Sequence, residues 1–451
     1  MSDSTAEILL HIRDLLAGDD STAMRKVLAG LHPADIAELL GELENEQKVR
    51  LLKHLDNETA AEVLAAVDER SGQALLQLLS DTEVVSLLGE MQSDDVVDII
   101  SQLPPEKSRQ IDALLPSGER EKFHELLEFD EDTAGGIMEV ETVAVQEVAT
   151  VREAIELVRQ LADQIENLQN VYVVNGEGEL VGTIPVLDLL LHDSSEKIVD
   201  LMDDNVISVP VDMDQEQVAA LFGKYDEFTL PVVDSSGKLV GRITVDDIID
   251  VLEEEASEDI AMIAGTVEDE IGETSPLKVS RARLPWLIIA LLGQLLNALI
   301  MSHYSLSIQE FVALVFFIPL VIGTAGSTGI QSAVVVVREL AVGQRSDAHI
   351  GRRVFRELQV TLLNGMILGL ILFVAVSVWR HEITLGLFMW IVLMSVTIVA
   401  GFMGAAIPLV LSRLKVDPVI AAGPFITVLS DIIGLLIYMS YVTYYVSNIR
   451  S

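Results

Sequence analysis

The chemistry open to this chain is carboxylate chemistry. It carries 70 Asp and Glu against 29 Lys and Arg, eight His and no Cys. Thiolate metal sites, disulfides and cysteine nucleophiles are therefore excluded, and oxygen ligation of hard divalent cations such as Mg²⁺ or Ca²⁺ is what the side chains favour. Two placements of acid stand out. In the first, Asp246, Asp247, Asp250, Glu253, Glu254, Glu255, Glu258 and Asp259 crowd one short stretch. On a helix, pairs such as Asp246/Asp250, Asp250/Glu254 and Glu254/Glu258 stand four apart and repel. Glu62, Asp94, Asp95 and Asp98 add acid further upstream. Such surfaces close when a divalent cation neutralises them and part when it leaves, which is a switch; the plain alternative is a solvated face. The second placement is one residue. Asp431 is the sole charge in the apolar run 418–446 and lies near its middle, where an ionised carboxylate is costly unless it meets water, a cation or a partner. Pro424, Thr427, Asp431, Gly434 and Tyr438 recur at spacings of 3, 4, 3 and 4, one helical stripe of small or polar groups. An ion or proton pathway explains that stripe better than an Asp protonated or hydrogen-bonded between helices.

The elements that must position these acids fall into two blocks. The chain has 451 residues, half of them hydrophobic, at a net charge of −41. From residue 278 onward the net charge is +5, so the first 277 residues carry −46. One half is an acidic body and the other a slightly basic apolar block, which rules out a single globular domain. The acidic body would repel phosphates, so no nucleic-acid partner is expected. The opening residues lack a basic region followed by a long apolar core, so no signal peptide is expected. No P-loop, HExxH pattern or nucleophile–base pair is apparent, and an enzyme is not expected.

The apolar block holds five stretches, 284–301, 311–337, 360–378, 383–411 and 418–446, each long enough to cross a hydrocarbon core of about 30 Å. With the acidic body in the cytoplasm, the inside flanks carry Lys278, Arg281, Arg283, Arg338, Arg345, Arg352, Arg353, Arg356, Arg413 and Lys415, leaving Arg380 and Arg450 outside. That bias predicts a cytoplasmic N-terminus and an outer C-terminus in the inner (plasma) membrane. The second stretch contains Gly323-Thr324-Ala325-Gly326-Ser327-Thr328-Gly329. Its composition suits irregular backbone lining a cavity and equally suits close helix packing through small residues. Asn297 and Asn364 are further polar groups in spans, each able to serve the pathway or an interhelical hydrogen bond.

The acidic body reads as two architectures. Up to about residue 129 short helices open at His32, Asn57, Asp81 and Ser93, steps of about 24, 24 and 12 residues, as in a helical solenoid. After it, Val171-Tyr172-Val173-Val174-Asn175 through Asp188 returns 59 residues later as Leu230-Pro231-Val232-Val233-Asp234 through Asp247. Each copy reads as strand, Gly turn, strand and helix, and the pair looks like tandem CBS motifs. The expected organisation is a cytoplasmic all-α solenoid domain (1–130), an α/β tandem CBS domain (131–252), an acidic linking or plug helix (253–280) and a five-helix α transmembrane domain (281–451).

Taken together, these parts resemble the MgtE family of magnesium channels. The resemblance is carried by Thr244-Val245-Asp246-Asp247 through Glu258-Asp259-Ile260, by Gly329-Ile330-Gln331-Ser332-Ala333 through Arg338-Glu339-Leu340-Ala341, and by Asp417-Pro418 through Asp431 to Tyr438. It implies a homodimer in the lipid bilayer that conducts Mg²⁺ down its electrochemical gradient, with Asp431 binding a largely hydrated ion through water. It also implies closure by cytoplasmic Mg²⁺ bound at Glu62, Asp94, Asp214, Glu216, Asp226, Asp247, Asp250, Glu255, Glu258, Asp259 and Asp417. A transporter of another divalent cation, a proton- or sodium-coupled exchanger, and a sensor without conduction remain alternatives on the same scaffold. Two departures bear on this. Ala325-Gly326-Ser327 stands where the family usually has Gly-Gly-Asn, removing an amide near the pore. Some members bind ATP between the CBS motifs; here Asp188, Thr244 and Asp247 are the matching residues, but Leu187 replaces a common basic residue and Pro185 a hydroxyl residue, so nucleotide binding is expected to be weak.

Overall fold

The computed structural model describes every residue except 1–2, 19, 102, 163–164, 166, 268–274, 311, 342–346, 415 and 449–451. Arg345, Lys415 and Arg450 of the charge-bias argument, and part of the linking segment 253–280, lie outside the described residues. The chain divides into two compact units, Met1–Val251 and Leu252–Ser451.

The first unit opens with ten helices, from α1 (Asp3–Gly18) to α10 (Ser117–Leu126). Their starts explain the uneven spacing in the sequence. Helices beginning at Pro33, Asn57, Asp81 and Pro105 recur every 24 residues, and a second series beginning at Asn45, Glu69, Ser93 and Ser117 runs half a period behind. The step of 12 is thus a crossing from one row to the other. Side-chain caps open several of them: Asp56 accepts from Thr59 N at 3.0 Å, and Ser80 and Glu83 form a reciprocal capping box, each such cap stabilising its helix by about 1 kcal/mol. Ile36, Leu40, Leu51, Val63, Leu75 and Val84 form the continuous core between the rows.

The CBS pair follows. β1 (Ala144–Gln146), β2 (Asn170–Val174) and β3 (Leu180–Pro185) form one sheet, and β4 (Val209–Pro210), β5 (Thr229–Val233) and β6 (Leu239–Thr244) the other. In each, the first pair is parallel and the second antiparallel. The 59-residue repeat holds to the residue: β2 and β5, β3 and β6, and the register shifts at Val173/Val174 and Val232/Val233 are all offset by 59. So are the hairpin glycines, Gly178 and Gly237, both at φ +84°, a conformation that only Gly adopts readily. β3 leads into α12 (Val186–Leu191), and β6 into α14 (Val245–Ala264), which carries the acidic run. Between them α11 is Val151–Leu161 and α13 Gln215–Tyr225.

Among its described residues the second unit has five helices long and apolar enough to cross a membrane: Pro276–His303, Val312–Leu340, Gly351–Arg380, Ile383–Arg413 and Pro418–Ser447. They contain α15 (Pro276–His303), α17 (Ile318–Ala341), α18 (Asp347–Arg380), α19 (Ile383–Arg413) and α20 (Pro424–Asn448), with the short α16 (Ser305–Glu310) between the first two. α19 is the hub, packing on α17, α18 and α20 and burying Leu385, Met389, Val392 and Val396. α15 exposes Leu287, Leu291, Leu295 and Leu299, a stripe suited to lipid.

Candidate metal and ion sites

The acidic run places Asp247, half-buried, among the carboxylates of the first unit. Asp247 sits in the first turn of α14, where Thr244 donates to its Oδ2 from both backbone N (3.0 Å) and Oγ1 (2.7 Å). α8 (Ser93–Ser101) brings Asp94 alongside, and the segment before β1 brings Glu139. Asp94, Glu139 and Asp247 each offer a carboxylate oxygen, all within 4.8 Å of one another. Behind them lies Arg242 of β6, buried and donating to Glu139 Oε2 from Nε at 3.0 Å and from an Nη at 2.6 Å. In the orientation that suits an acceptor-only carboxylate, the Gln92 amide donates to Glu139 at 2.7 and 3.0 Å. The solenoid is pinned to this segment by Ser93, whose Oγ donates to Glu141 at 2.7 Å and accepts from Val140 N at 3.0 Å.

Arg242 is paired with Glu139, and the electrostatics of the crowded carboxylates follow. Burial pushes Glu139 up to about 7 even against the pull of Arg242. Asp247 rises to about 6 through burial, opposed by the Thr244 bonds. Asp94 is pushed well up by burial, then by Asp247, and its Oδ1 is buried without a hydrogen-bond partner among the described residues. Nearby Asp98 rises to about 6 through burial, with Glu131 and Asp247 adding to it. Three crowded oxygen donors around an orphaned oxygen fit a hard divalent cation, which would supply the missing positive charge. Glu139 escaped the sequence reading because only Glu141 accompanies it, outside the acidic runs; the tertiary pairing with Arg242 marks it.

A second group lies in the other unit, where the far end of α14 meets the start of the last span. Asp259 rises to about 6 through burial, then through Asp417 and Glu255. Asp417 also caps the turn Pro418–Ala421, accepting from Val419 N at 2.9 Å. The remaining predicted ligands are spread more widely. Glu62, Asp214, Glu216, Asp226, Asp250 and Glu258 are all exposed. Asp214 caps α13, accepting from Glu216 N and Gln217 N, and Asp226 ends that helix in the left-handed region at φ +55°. For the nucleotide residues, Thr244 is committed to Asp247, while Asp188 is half-buried on α12, whose cap position, Pro185, makes no side-chain bond.

In the membrane unit the stripe on α20 packs against the Gly-rich segment of α17. That segment is regular helix throughout residues 323–329, so of the two readings of its composition, irregular backbone is corrected to close packing. A Cβ at Gly326 would lie 3.0 Å from Asp431 Oδ1 and 3.2 Å from Thr427 Cγ2, and Ala325 packs on Gly434. Glycine lets the two backbones approach, which also removes any need to break the helix. Asp431 is buried, 6 % exposed, and accepts from Gln294 Nε2 of α15 at 3.1 Å. Asn297, buried too, donates to Gln294 Oε1 at 3.4 Å within its own helix, so its bond is not interhelical. Asn364 is exposed and lines a cavity of about 520 Å³ with Ser332, Glu357 and Arg353. Gln294 was missed, although its place one turn before Asn297 on an apolar span was a usable signal. Tyr438 is buried and donates to Leu314 O at 2.5 Å, closing the stripe.

Five apolar spans with a carboxylate at a glycine seam, joined to an acid-lined body built on a CBS pair, define a membrane protein whose chemistry is directed at cations. Comparison with known proteins agrees. Residues 318–441 match a family described as a divalent cation transporter, residues 31–132 the MgtE intracellular N domain, and residues 134–195 and 198–254 the CBS domain. The chain is 40% identical over 324 residues to the magnesium transporter MgtE of Enterococcus faecalis, covering 72% of this chain and 71% of that one. It is 38% identical over 330 residues to the magnesium transporter MgtE of Thermus thermophilus, with 72% and 73% covered. A crystal structure of the cytosolic domain of the Mg²⁺ channel MgtE in complex with ATP superposes with a TM-score of 0.52 at 34% identity, covering 54% of this chain and 99% of that one. The chain belongs to the MgtE family of magnesium transporters.

Proposed function

We propose that the protein is a homodimeric, Mg²⁺-selective channel that admits Mg²⁺ down its electrochemical gradient and is closed by Mg²⁺ on the cytoplasmic side. The observation that carries the gating half is Asp94, whose buried Oδ1 has no partner among the described residues, grouped with Glu139 and Asp247. With the cation present, the solenoid and the CBS pair are held together; without it, the three crowded carboxylates repel. Asp259, Glu255 and Asp417 repeat the logic between α14 and the last span. The exposed acids Glu62, Asp214, Glu216, Asp226, Asp250 and Glu258 add to this cation-attracting surface.

In the conducting half, Asp431 binds the ion. Because Mg²⁺ gives up its water reluctantly, the carboxylate holds it through that water. A second copy brings a second Asp431, and their repulsion is relieved by a divalent ion between them. Dimerisation is supported by the apolar face of α12, where Leu187, Leu190 and Leu191 are all exposed. The N-terminus lies in the cytoplasm and the C-terminus outside, in the plasma membrane, and the functional divisions are 1–130, 131–252, 253–280 and 281–451. ATP, which a related cytosolic domain binds, binds weakly here, since Leu187 and Pro185 leave Asp188 without a cation or a hydroxyl beside it.

The test is Mg²⁺ uptake into proteoliposomes with the cytoplasmic face at low and then high Mg²⁺. Flux at low Mg²⁺ only, independent of proton and sodium gradients, supports the proposal. Flux that follows either gradient sinks it in favour of an exchanger, and no flux leaves a sensor.

A further inference from the structure

A carboxylate only accepts hydrogen bonds, and that directs every amide in contact with it. Asp431 Oδ2 takes the Gln294 Nε2 donor at 3.1 Å, so Gln294 must turn its Oε1 away. Asn297 then supplies a donor to that oxygen at 3.4 Å, which leaves its own Oδ1 as the free end of the chain. That Oδ1 is buried and has no partner among the described residues, in a side chain only 4 % exposed. The amides sit one turn apart on α15, and Gly293 brings that helix onto α20, since a Cβ at 293 would overlap Val428. Sequence and packing thus deliver an oriented donor to one oxygen of the carboxylate. The other oxygen, Oδ1, faces the glycine seam at Gly326.

From this geometry we propose that Gln294, oriented by Asn297, is a positioning residue that holds the Asp431 carboxylate at one oxygen and presents the other to the hydrated cation, so that Gln294 sets the preference for Mg²⁺ over larger divalent ions. The inference rests on the reading that Asp431 binds the permeant ion. A carboxylate free to rotate adapts to Ca²⁺, which accepts variable geometry and sheds water readily, whereas a fixed one favours the compact, octahedral hydration of Mg²⁺. The amide has a second merit over a basic residue: it supplies a donor without cancelling the charge that attracts the ion.

The experiment compares Mg²⁺ and Ca²⁺ flux through Gln294→Met, Gln294→Glu and Asn297→Leu in proteoliposomes, alone and with Asp431→Asn. Gln294→Met keeps side-chain length and loses the donor; the expected result is a fall of about tenfold in the Mg²⁺/Ca²⁺ flux ratio, the value of one hydrogen bond to a charged group. Asn297→Leu lowers the ratio less, because the donor remains but turns freely. On the Asp431→Asn background Gln294→Met changes the ratio no further, whereas a merely structural role would add its own loss. Should Gln294→Met fail to fold by size-exclusion chromatography, Gln294→Glu keeps shape and polarity while replacing the donor with an acceptor, and the same fall is expected. A ratio unchanged in the folded Gln294 variants, with flux still dependent on Asp431, overturns this inference alone. Flux that survives Asp431→Asn at full rate overturns the reading beneath it.

Discussion

Two of the carboxylate sites, the cluster at Asp247 and the single Asp431, treat the burial of charge in opposite ways. In the first unit Asp94, Glu139 and Asp247 crowd together, with Arg242 paired to Glu139, an arrangement that on the proposed reading a divalent cation completes. In the membrane unit Asp431 receives a neutral amide donor from Gln294, so its charge is held in place rather than cancelled. On the proposed reading the first arrangement answers to metal and suits a switch, and the second suits a permanent stop on a pathway. Charge compensation left to the ligand gives regulation, while orientation supplied by the protein gives selectivity.

The comparison can be broken most severely at its arginine. Arg242→Met leaves Glu139 buried without a counter-charge and is expected to destabilise the soluble unit by about 3–5 kcal/mol. Chemical denaturation followed by circular dichroism measures it, and adding Glu139→Gln should recover most of the loss. Asp431→Asn, by contrast, should leave stability nearly unchanged and lower Mg²⁺ flux on the order of a hundredfold, equivalent to about 3 kcal/mol; proteoliposome uptake decides it.

Asp94→Asn sharpens the contrast from the other side. On the proposed reading it removes one of the repelling charges and one cation ligand together, so Mg²⁺ flux should persist but need about tenfold more cytoplasmic Mg²⁺ to stop. An unchanged closing concentration would detach Asp94 from gating.

The smallest expected effect is on thermal stability with pH. Asp98, Asp247 and Asp259 rise to about 6 and Glu139 to about 7, above the usual 3.8 and 4.5. The folded form therefore keeps protons that the unfolded chain has already released, and stability must fall as pH climbs from about 4 through 7. In chelator the unfolding temperature should drop by several degrees over that window. Mg²⁺ at pH 7 should restore it with proton release, and should do little at pH 5. A flat profile would mean that these carboxylates are solvated.

Much of the architecture was legible because it repeats or is long. The 59-residue return from Val171 to Leu230 predicted both hairpins, since the same pattern of apolar runs and turn glycines folds the same way twice. The 24-residue spacing of Asn57 and Asp81 revealed stacked helices, and only the step to Ser93 needed the structure to show two interleaved rows. The five spans followed from length and hydropathy, and Asp431 from the rarity of charge at that depth. Less legible was whatever depended on approach in space. Glu139 and Arg242 lie 103 residues apart, and nothing local in either links them. Residues 323–329 were ambiguous because glycine serves broken and tightly packed helix equally; the facing side chains of Thr427 and Asp431 decide between them.

The sequence by itself determined the partition into an acidic body and an apolar block, the repeated motifs and the residue types able to meet a divalent cation, because periodicity, hydropathy and charge are properties of neighbours along the chain. Only the tertiary structure decided which acids meet, that Arg242 pairs with Glu139 among them, and that an amide on α15 reaches Asp431. Those outcomes depend on distances of a few ångströms between residues far apart in the chain, and Coulomb and hydrogen-bond energies vary steeply over that range.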